Sequence, residues 1–305
     1  MRHAALAALL LALPGPSHAT GSAPPRAGVQ FVSAAVRTED RGSWSLVWSD
    51  EFDGPAGAAP DSAKWAYDAG GDGWGNAELE TYCAPDSSAP CDPAFPNAYR
   101  DGLGRLVIAA RRDDAGRWTS ARLKTIGLKT FEYGRVETSM RLPDGAGLWP
   151  AFWMLGSDIQ SAGWPACGEI DIMENVPGDV PGGLGLDAVQ STLHGPGYSG
   201  VDGYGRAVRL PAGSRVDDGF HVYGAMWSPG RVEFYVDDPS RVFFVATREG
   251  IPAGTKWAFD HPFFILMNLA VGGSWPGDPS PRTPNPANLL VDYVRVYRMD
   301  DVLPR

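Results

Sequence analysis

Three carboxylates fall within six residues in the segment Glu169-Ile-Asp-Ile-Met-Glu174, spaced by apolar side chains. Residues two apart on a strand share a face, so Glu169 and Asp171 point together while Ile170 and Ile172 turn the other way. Glu174 breaks that parity. One extra residue in the strand, a β-bulge near Ile172 and Met173, would return Glu174 to the side of the other acids. A strand built only for stability avoids clustering like charges, so their convergence points to chemistry. Closely spaced acids push their proton affinities apart, leaving one ionised as nucleophile or base and another protonated as acid.

Hydrolysis of a glycosidic bond needs that division of labour. The residues alone leave the roles of Glu169 and Glu174 unordered, with Asp171 between them to hydrogen-bond the nucleophile and tune its charge. Cys167 has no histidine beside it in sequence and reads as a small packed residue. The chain holds 11 tryptophans, whose flat faces stack on sugar rings; core packing accounts for about half of them. A net charge of −10 and a pI of about 4.9, without a cluster of Lys or Arg, argue against a nucleic-acid partner. No apolar run approaches the roughly 20 residues that span a bilayer, so no membrane partner is expected.

The elements that must hold these acids are strands. With 38 Gly and 27 Pro, no stretch keeps a helical period for long, whereas several runs alternate. Strands are expected at Arg105–Ala110, Gly134–Leu142, His221–Trp227, Arg231–Val236, Phe263–Val271 and Leu289–Tyr297. In the second of these, Val136, Met140 and Leu142 share one face and Arg135, Glu137, Ser139 and Arg141 the other, a half-buried pattern. Many short strands parted by turns predict an all-β sandwich. Met1-Arg2-His3, the apolar run Ala4–Leu13 and Ser17-His18-Ala19 predict an export signal over residues 1–19, hence a secreted, extracellular protein. Residues 20–42, rich in Ala, Gly, Pro and Ser, predict a flexible lead-in, and residues 43–305 a single domain. Cys83 and Cys91 are near enough in sequence to close a short loop, leaving Cys167 over; the sequence leaves open whether they are bridged.

The motif Glu169-Ile-Asp-Ile-Met-Glu174 resembles the bulged signature of glycoside hydrolase family 16, in its laminarinase-like branch; lichenases carry a form one residue shorter. The resemblance extends through Leu46-Val-Trp-Ser-Asp-Glu-Phe-Asp53, Gly73-Trp-Gly-Asn-Ala-Glu-Leu-Glu80, Gly147-Leu-Trp-Pro-Ala-Phe-Trp-Met-Leu155, Thr192-Leu-His-Gly-Pro-Gly-Tyr-Ser-Gly200, Asn268-Leu-Ala-Val-Gly-Gly-Ser-Trp-Pro-Gly277 and Val291-Asp-Tyr-Val-Arg-Val-Tyr297. It implies a β-jelly roll of two antiparallel sheets with a concave cleft. It also implies an endo-β-1,3-glucanase that retains anomeric configuration, with Glu169 as nucleophile, Asp171 as its helper and Glu174 as acid/base. Asn76, Arg122, Trp149, Trp153, Trp164, His194 and Trp275 match cleft positions. On sequence grounds Trp153 reads as core, whereas Trp164 and Trp275 stand beside Pro and Gly where a ring can face a ligand. His194 reads either as a structural histidine or as a sugar contact near the acid/base.

The chain departs from the family pattern at Ala77, where a polar residue is common, at Glu80, where glutamine is frequent, and over Cys83–Pro96, which is expected to shape the cleft mouth. No cofactor is expected for catalysis. A structural calcium is implied, held by the carbonyls of Glu51 and Gly104 and the side chain of Asp292. The expected partner is a β-glucan, taken by a monomer. Mixed-linkage β-1,3-1,4-glucan and galactan remain alternative substrates. A non-catalytic glucan-binding lectin would keep the aromatic residues and lose the acids, which are present here.

Overall fold

The computed structural model describes residues 30–32, 36–37, 43–178 and 180–300. The expected export signal lies outside the described residues, as does the lead-in from 20 to 29. The strands run β1 (Val36–Arg37), β2 (Trp44–Asp50), β3 (Ala66–Asp68), β4 (Glu80–Tyr82), β5 (Ala98–Arg100) and β6 (Leu106–Arg112). They continue as β7 (Trp118–Ser120), β8 (Arg122–Lys124), β9 (Gly134–Arg141), β10 (Leu148–Gly156), β11 (Glu169–Glu174) and β12 (Ala188–His194). The last are β13 (Tyr204–Arg209), β14 (His221–Ser228), β15 (Arg231–Val236), β16 (Arg241–Thr247), β17 (Phe263–Val271) and β18 (Ala287–Met299). One helical turn, α1 (Ile159–Ala162), precedes the acid-bearing strand.

These strands form two sheets, the expected all-β jelly-roll architecture. One sheet has the order β13-β12-β11-β10-β17-β8-β3; the other runs β1-β16-β15-β14-β9-β18-β6-β7-β4, with β2 on β18 and β5 on β6. Alternation along the strands explains how they stack. In β17, Phe263, Ile265, Met267, Leu269 and Val271 enter the main core, and in β10 Leu148, Phe152 and Met154 do the same. The second sheet meets them with Leu106, Ile108, Val136, Met140, Phe234 and Val294. Trp149 and Trp153 alternate with those β10 core residues and so emerge on the outer face of the seven-stranded sheet, which carries the cleft.

One expectation needs correction. The middle of the second face of β9 is buried as well: Glu137 is 7% exposed and Ser139 4%, while Arg135 is half-buried and Arg141 exposed. Aromatic neighbours cover it, with the Tyr235 hydroxyl donating to Glu137 at 2.6 Å and that of Tyr297 at 3.2 Å. Within residues 20–42, the described residues 30–32 and 36–37 make backbone pairs. The Val32 amide donates to the Ala207 carbonyl and the Ala207 amide to the Gln30 carbonyl, both at 3.0 Å, while β1 pairs with β16. Edge strands offer unpaired backbone groups, and these short segments satisfy them.

Candidate active site

The bulge sits where parity demands it. Against β10, Asp171 pairs with Trp153 and Met173 with Phe152, which leaves Ile172 as the extra residue. Against β12, Asp171 faces Thr192 and Glu174 faces Gln190, so that Ile172 and Met173 together oppose Ser191. The Ser191 hydroxyl donates to the Ile172 carbonyl at 2.6 Å and pins the distortion. Ile172 and Met173 both enter the core. Glu174 therefore returns to the outer face, where it lines a cleft of about 390 Å³ with Glu169 and Asp171. Gly168 sets the start of this strand: its φ is +72°, and a Cβ there would run into the Ala258 carbonyl.

The two glutamates have different surroundings. Glu169 accepts from the indole N–H of Trp164 at 2.9 Å, and His194 Nε2 lies 3.7 Å from its other oxygen. The same His194 nitrogen is 3.1 Å from Asp171. Burial pushes the Glu169 carboxyl up to about 8; the charges of Asp171 and, less, Glu174 add to that, while His194 and the Trp164 N–H oppose it. Glu174 accepts from the Trp149 indole at 3.1 Å and, more weakly, from Thr192 Oγ1 at 3.4 Å. Gln190 donates to Thr192 at 3.0 Å and orients that hydroxyl.

Aromatic rings flank the acids. Trp74, Trp149, Trp153 and Trp164 line the cleft together with Asn76, Arg122 and His194. The Arg122 guanidinium lies 4.6 Å from the centre of the Trp153 ring and 5.1 Å from that of Trp74, and is ion-paired to Asp68 at 3.0 Å. Trp74, Glu78 and Asn268 also line the cleft, although no sequence argument singled them out. Asn268 left a signal, as the one polar side chain in the nine residues of β17.

Three placements differ from expectation. Trp275 is 6% exposed, packs with Val176, Leu184, Ala188 and Ala207, and donates its N–H to the Gly182 carbonyl at 2.8 Å. Its ring meets Trp149 edge-on at 5.4 Å, so it supports a cleft residue instead of facing the ligand. His194 stands opposite Glu169 in the ladder, on the far side of the site from the Glu174 end of the strand. Cys83 and Cys91 are bridged, and none of residues 83–96 is among those lining the cleft. The parallel pairing of β4 with β7 carries that loop away, toward Gly57, Ala59 and Tyr67.

Residues 97–295 match the sequence pattern of glycosyl hydrolases family 16. The chain belongs to that family. A β-glucanase of Rhodothermus marinus is 43% identical over 275 residues, spanning 86% of this chain and 88% of the relative. The glucan endo-1,3-beta-glucosidase A1 of Niallia circulans is 35% identical; the match takes in 83% of this chain and 38% of that longer protein. Among solved structures, the endo-β-1,3-glucanase of Pyrococcus furiosus superposes with a TM-score of 0.73 at 42% identity, covering 87% of this chain and 98% of that one. The laminarinase catalytic domain of Thermotoga petrophila gives 0.74 at 40% identity, covering 85% and 100%.

Among the described residues, two sets of side chains and carbonyls bear on whether this family 16 chain could hold a metal. Glu169, Asp171 and His194 offer ligand atoms that all lie within 4.8 Å of one another, but they belong to the acid cluster of the cleft. The calcium expected at Glu51, Gly104 and Asp292 lies elsewhere. There β6 leaves β18 after the pair Leu106–Val291, β2 leaves it at Asp50–Val294, and Asp292 occupies the irregularity between them. Asp292 is exposed, and the Glu51 carbonyl approaches Gly104 to 4.0 Å from where a Cβ would stand. This set of hard oxygen donors fits calcium. Among the described residues, no helix is long and apolar enough to cross a membrane.

Proposed function

We propose that this chain is a secreted endo-β-1,3-glucanase acting by retaining double displacement. Glu169 attacks the anomeric carbon while Glu174 protonates the departing glycosidic oxygen. Water, deprotonated by Glu174, then cleaves the glycosyl ester on Glu169. Asp171 and His194 orient and tune Glu169; Asn76, Arg122, Trp149, Trp153 and Trp164 hold the sugars. The observation that carries the reading is the bulge at Ile172, which gathers all three acids on one face of a tryptophan-lined cleft. The names of the relatives supply the linkage. No cofactor enters the reaction. The export pattern of residues 1–19 supports secretion; the enzyme would act as a monomer, and calcium, held at Glu51, Gly104 and Asp292, would brace the junction of β2, β6 and β18.

One observation favours the reverse order of roles. A carboxyl pushed up to about 8 favours its protonated form at neutral pH, which makes Glu169 a candidate acid. Azide separates the two orders. With an activated β-glucoside substrate, Glu169→Gly plus azide gives the α-glycosyl azide if Glu169 is the nucleophile, and Glu174→Gly gives the β-product. The opposite pattern reverses the roles. Reducing ends released from laminarin, barley β-glucan and agarose test the substrate; binding to laminarin without release would identify a lectin.

A further inference from the structure

A second pair of acids, Glu78 and Glu80, lies off the catalytic strand and takes no part in the reaction above. Glu80, the first residue of β4, is fully buried, and Glu78 is 8% exposed at the cleft. Glu78 accepts a hydrogen on each oxygen, from Asn76 Nδ2 at 2.9 Å and from the Tyr82 hydroxyl at 2.9 Å. Glu80 accepts the Val271 amide at 2.7 Å on Oε2, while its Oε1 is buried and receives no hydrogen from any donor among the described residues; its carboxyl is set against that of Glu78, two residues before it. Two carboxylates cannot both accept, so one proton must lie between them, and the donors already on Glu78 assign it to Glu80.

That proton sets the direction of a chain reaching the cleft. The Tyr82 hydroxyl, donating to Glu78, accepts from Asn268 Nδ2 at 3.1 Å, and Asn268 Oδ1 accepts the Trp153 indole N–H at 2.8 Å. Asn76 at one end and Trp153 at the other both line the sugar-binding surface. We propose that Glu80 is a positioning residue, which fixes Asn76 and Trp153 for the sugar by donating its carboxyl proton to Glu78. This rests on the glucanase reading of the same cleft.

The titratable or charged groups facing Glu80 are Glu78, Tyr82 and, acting on Tyr82, Arg122 from β8. The adjoining strands β7 and β17 bring none. Burial, then the hydrogen bond and charge of Glu78, push Glu80 up to about 9 against the Val271 amide. The folded protein therefore keeps a proton that the unfolded chain releases above the ordinary value of 4.5. The stability tied to that proton is complete below the ordinary value and is lost as pH rises toward the folded value.

The test compares wild type, Glu80→Gln and Glu80→Leu on laminarihexaose from about pH 6 to about pH 10. Loss of the donor in Glu80→Leu should raise KM about fivefold at neutral pH with little change in kcat, and Glu80→Gln, which keeps a donor, should restore it. The wild-type KM should climb above that of Glu80→Gln at the alkaline end. Equal KM values in wild type and Glu80→Gln at every pH, or a change confined to kcat, overturn the proposal. If Glu80→Leu does not fold, the comparison with Glu80→Gln decides alone. Thermal unfolding without sugar reads the same proton: the Tm advantage of Glu80→Gln should widen from about pH 5 to about pH 8, and parallel curves overturn the assignment. A wild type that leaves laminarihexaose intact at neutral pH refutes the glucanase reading instead, and the sugar-free curves still decide whether Glu80 carries the proton.

Discussion

Deleting Ile172 should leave the active site assembled. The flanking pairs Asp171–Trp153 and Met173–Phe152 already follow one another as in a regular ladder, with Ile172 looped between them. Without it Met173 faces Ser191 alone, and Glu169, Asp171 and Glu174 keep one parity. The loss is one side chain 2% exposed in the core, worth about 2–5 kcal/mol on the scale of large core truncations. At about 2–4 °C per kcal/mol for a domain of this size, Tm should fall by roughly 5–15 °C. Turnover on laminarin, measured as kcat/KM well below that temperature, should stay within about tenfold of wild type, far from the 10²–10⁴-fold or so that a lost general acid costs. Deleting Ile172 and Met173 together is the counterpart. It makes Glu174 the direct neighbour of Asp171 and so turns it toward the core, where an unpaired carboxylate is disfavoured, and should abolish most activity. A folded single-deletion variant as inactive as the double deletion, or an active double-deletion variant, would refute the parity reasoning.

Other outcomes follow from the same geometry. If Glu169 attacks as the carboxylate, activity rises as pH climbs through its raised pKa; Asp171→Asn removes one cause of the rise, so the acidic limb of kcat/KM should move to lower pH, and an unmoved limb contradicts the coupling. Trp153→Ala should lower kcat/KM by the equivalent of about 1–3 kcal/mol, as for other aromatic stacking surfaces, whereas Trp275→Phe should lower Tm and leave KM near wild type. The reverse ranking in oligosaccharide kinetics would restore Trp275 to the cleft. Replacing Cys83 and Cys91 by serine opens a loop of sequence separation 8; the chain-entropy scale sets the loss at about 2–3 kcal/mol. Since that loop lies off the cleft, a calorimetric shift without change in kcat/KM is expected.

What was legible in the sequence was whatever strand parity controls. Glu169 and Asp171 share a face by period alone, and the bulge at Ile172 follows because Glu174 otherwise points into the core. Parity also explains Trp153, whose apolar neighbours disguised a residue alternating with Phe152 and Met154. Turn residues were harder to read. Trp164 and Trp275 both stand beside Pro and Gly, yet Trp164 is 48% exposed and Trp275 only 6%. Nothing local separates them: Trp275 is covered by Val176, Leu184, Ala188 and Ala207, which come from distant parts of the chain. Trp74, with φ at +49°, likewise reaches the cleft through a turn whose path no periodicity encodes.

The bulge joins stability to chemistry in one feature. Its extra residue sends Ile172 and Met173 into the core together, where Met173 is fully buried. A strand that relaxed to regular pairing without losing a residue would have to expel one of those side chains and bury the Glu174 carboxylate. Each change is unfavourable, so apolar packing under the strand holds the acids above it in place. The electrostatic strain is held by the same arrangement. Burial and Asp171 raise Glu169 against the pull of His194, and Glu174 is steadied by Trp149 and Thr192, which arrive on β10 and β12, the two neighbours whose registers define the bulge. Loosening either ladder should therefore disturb the protonation of Glu169 before it unfolds the domain.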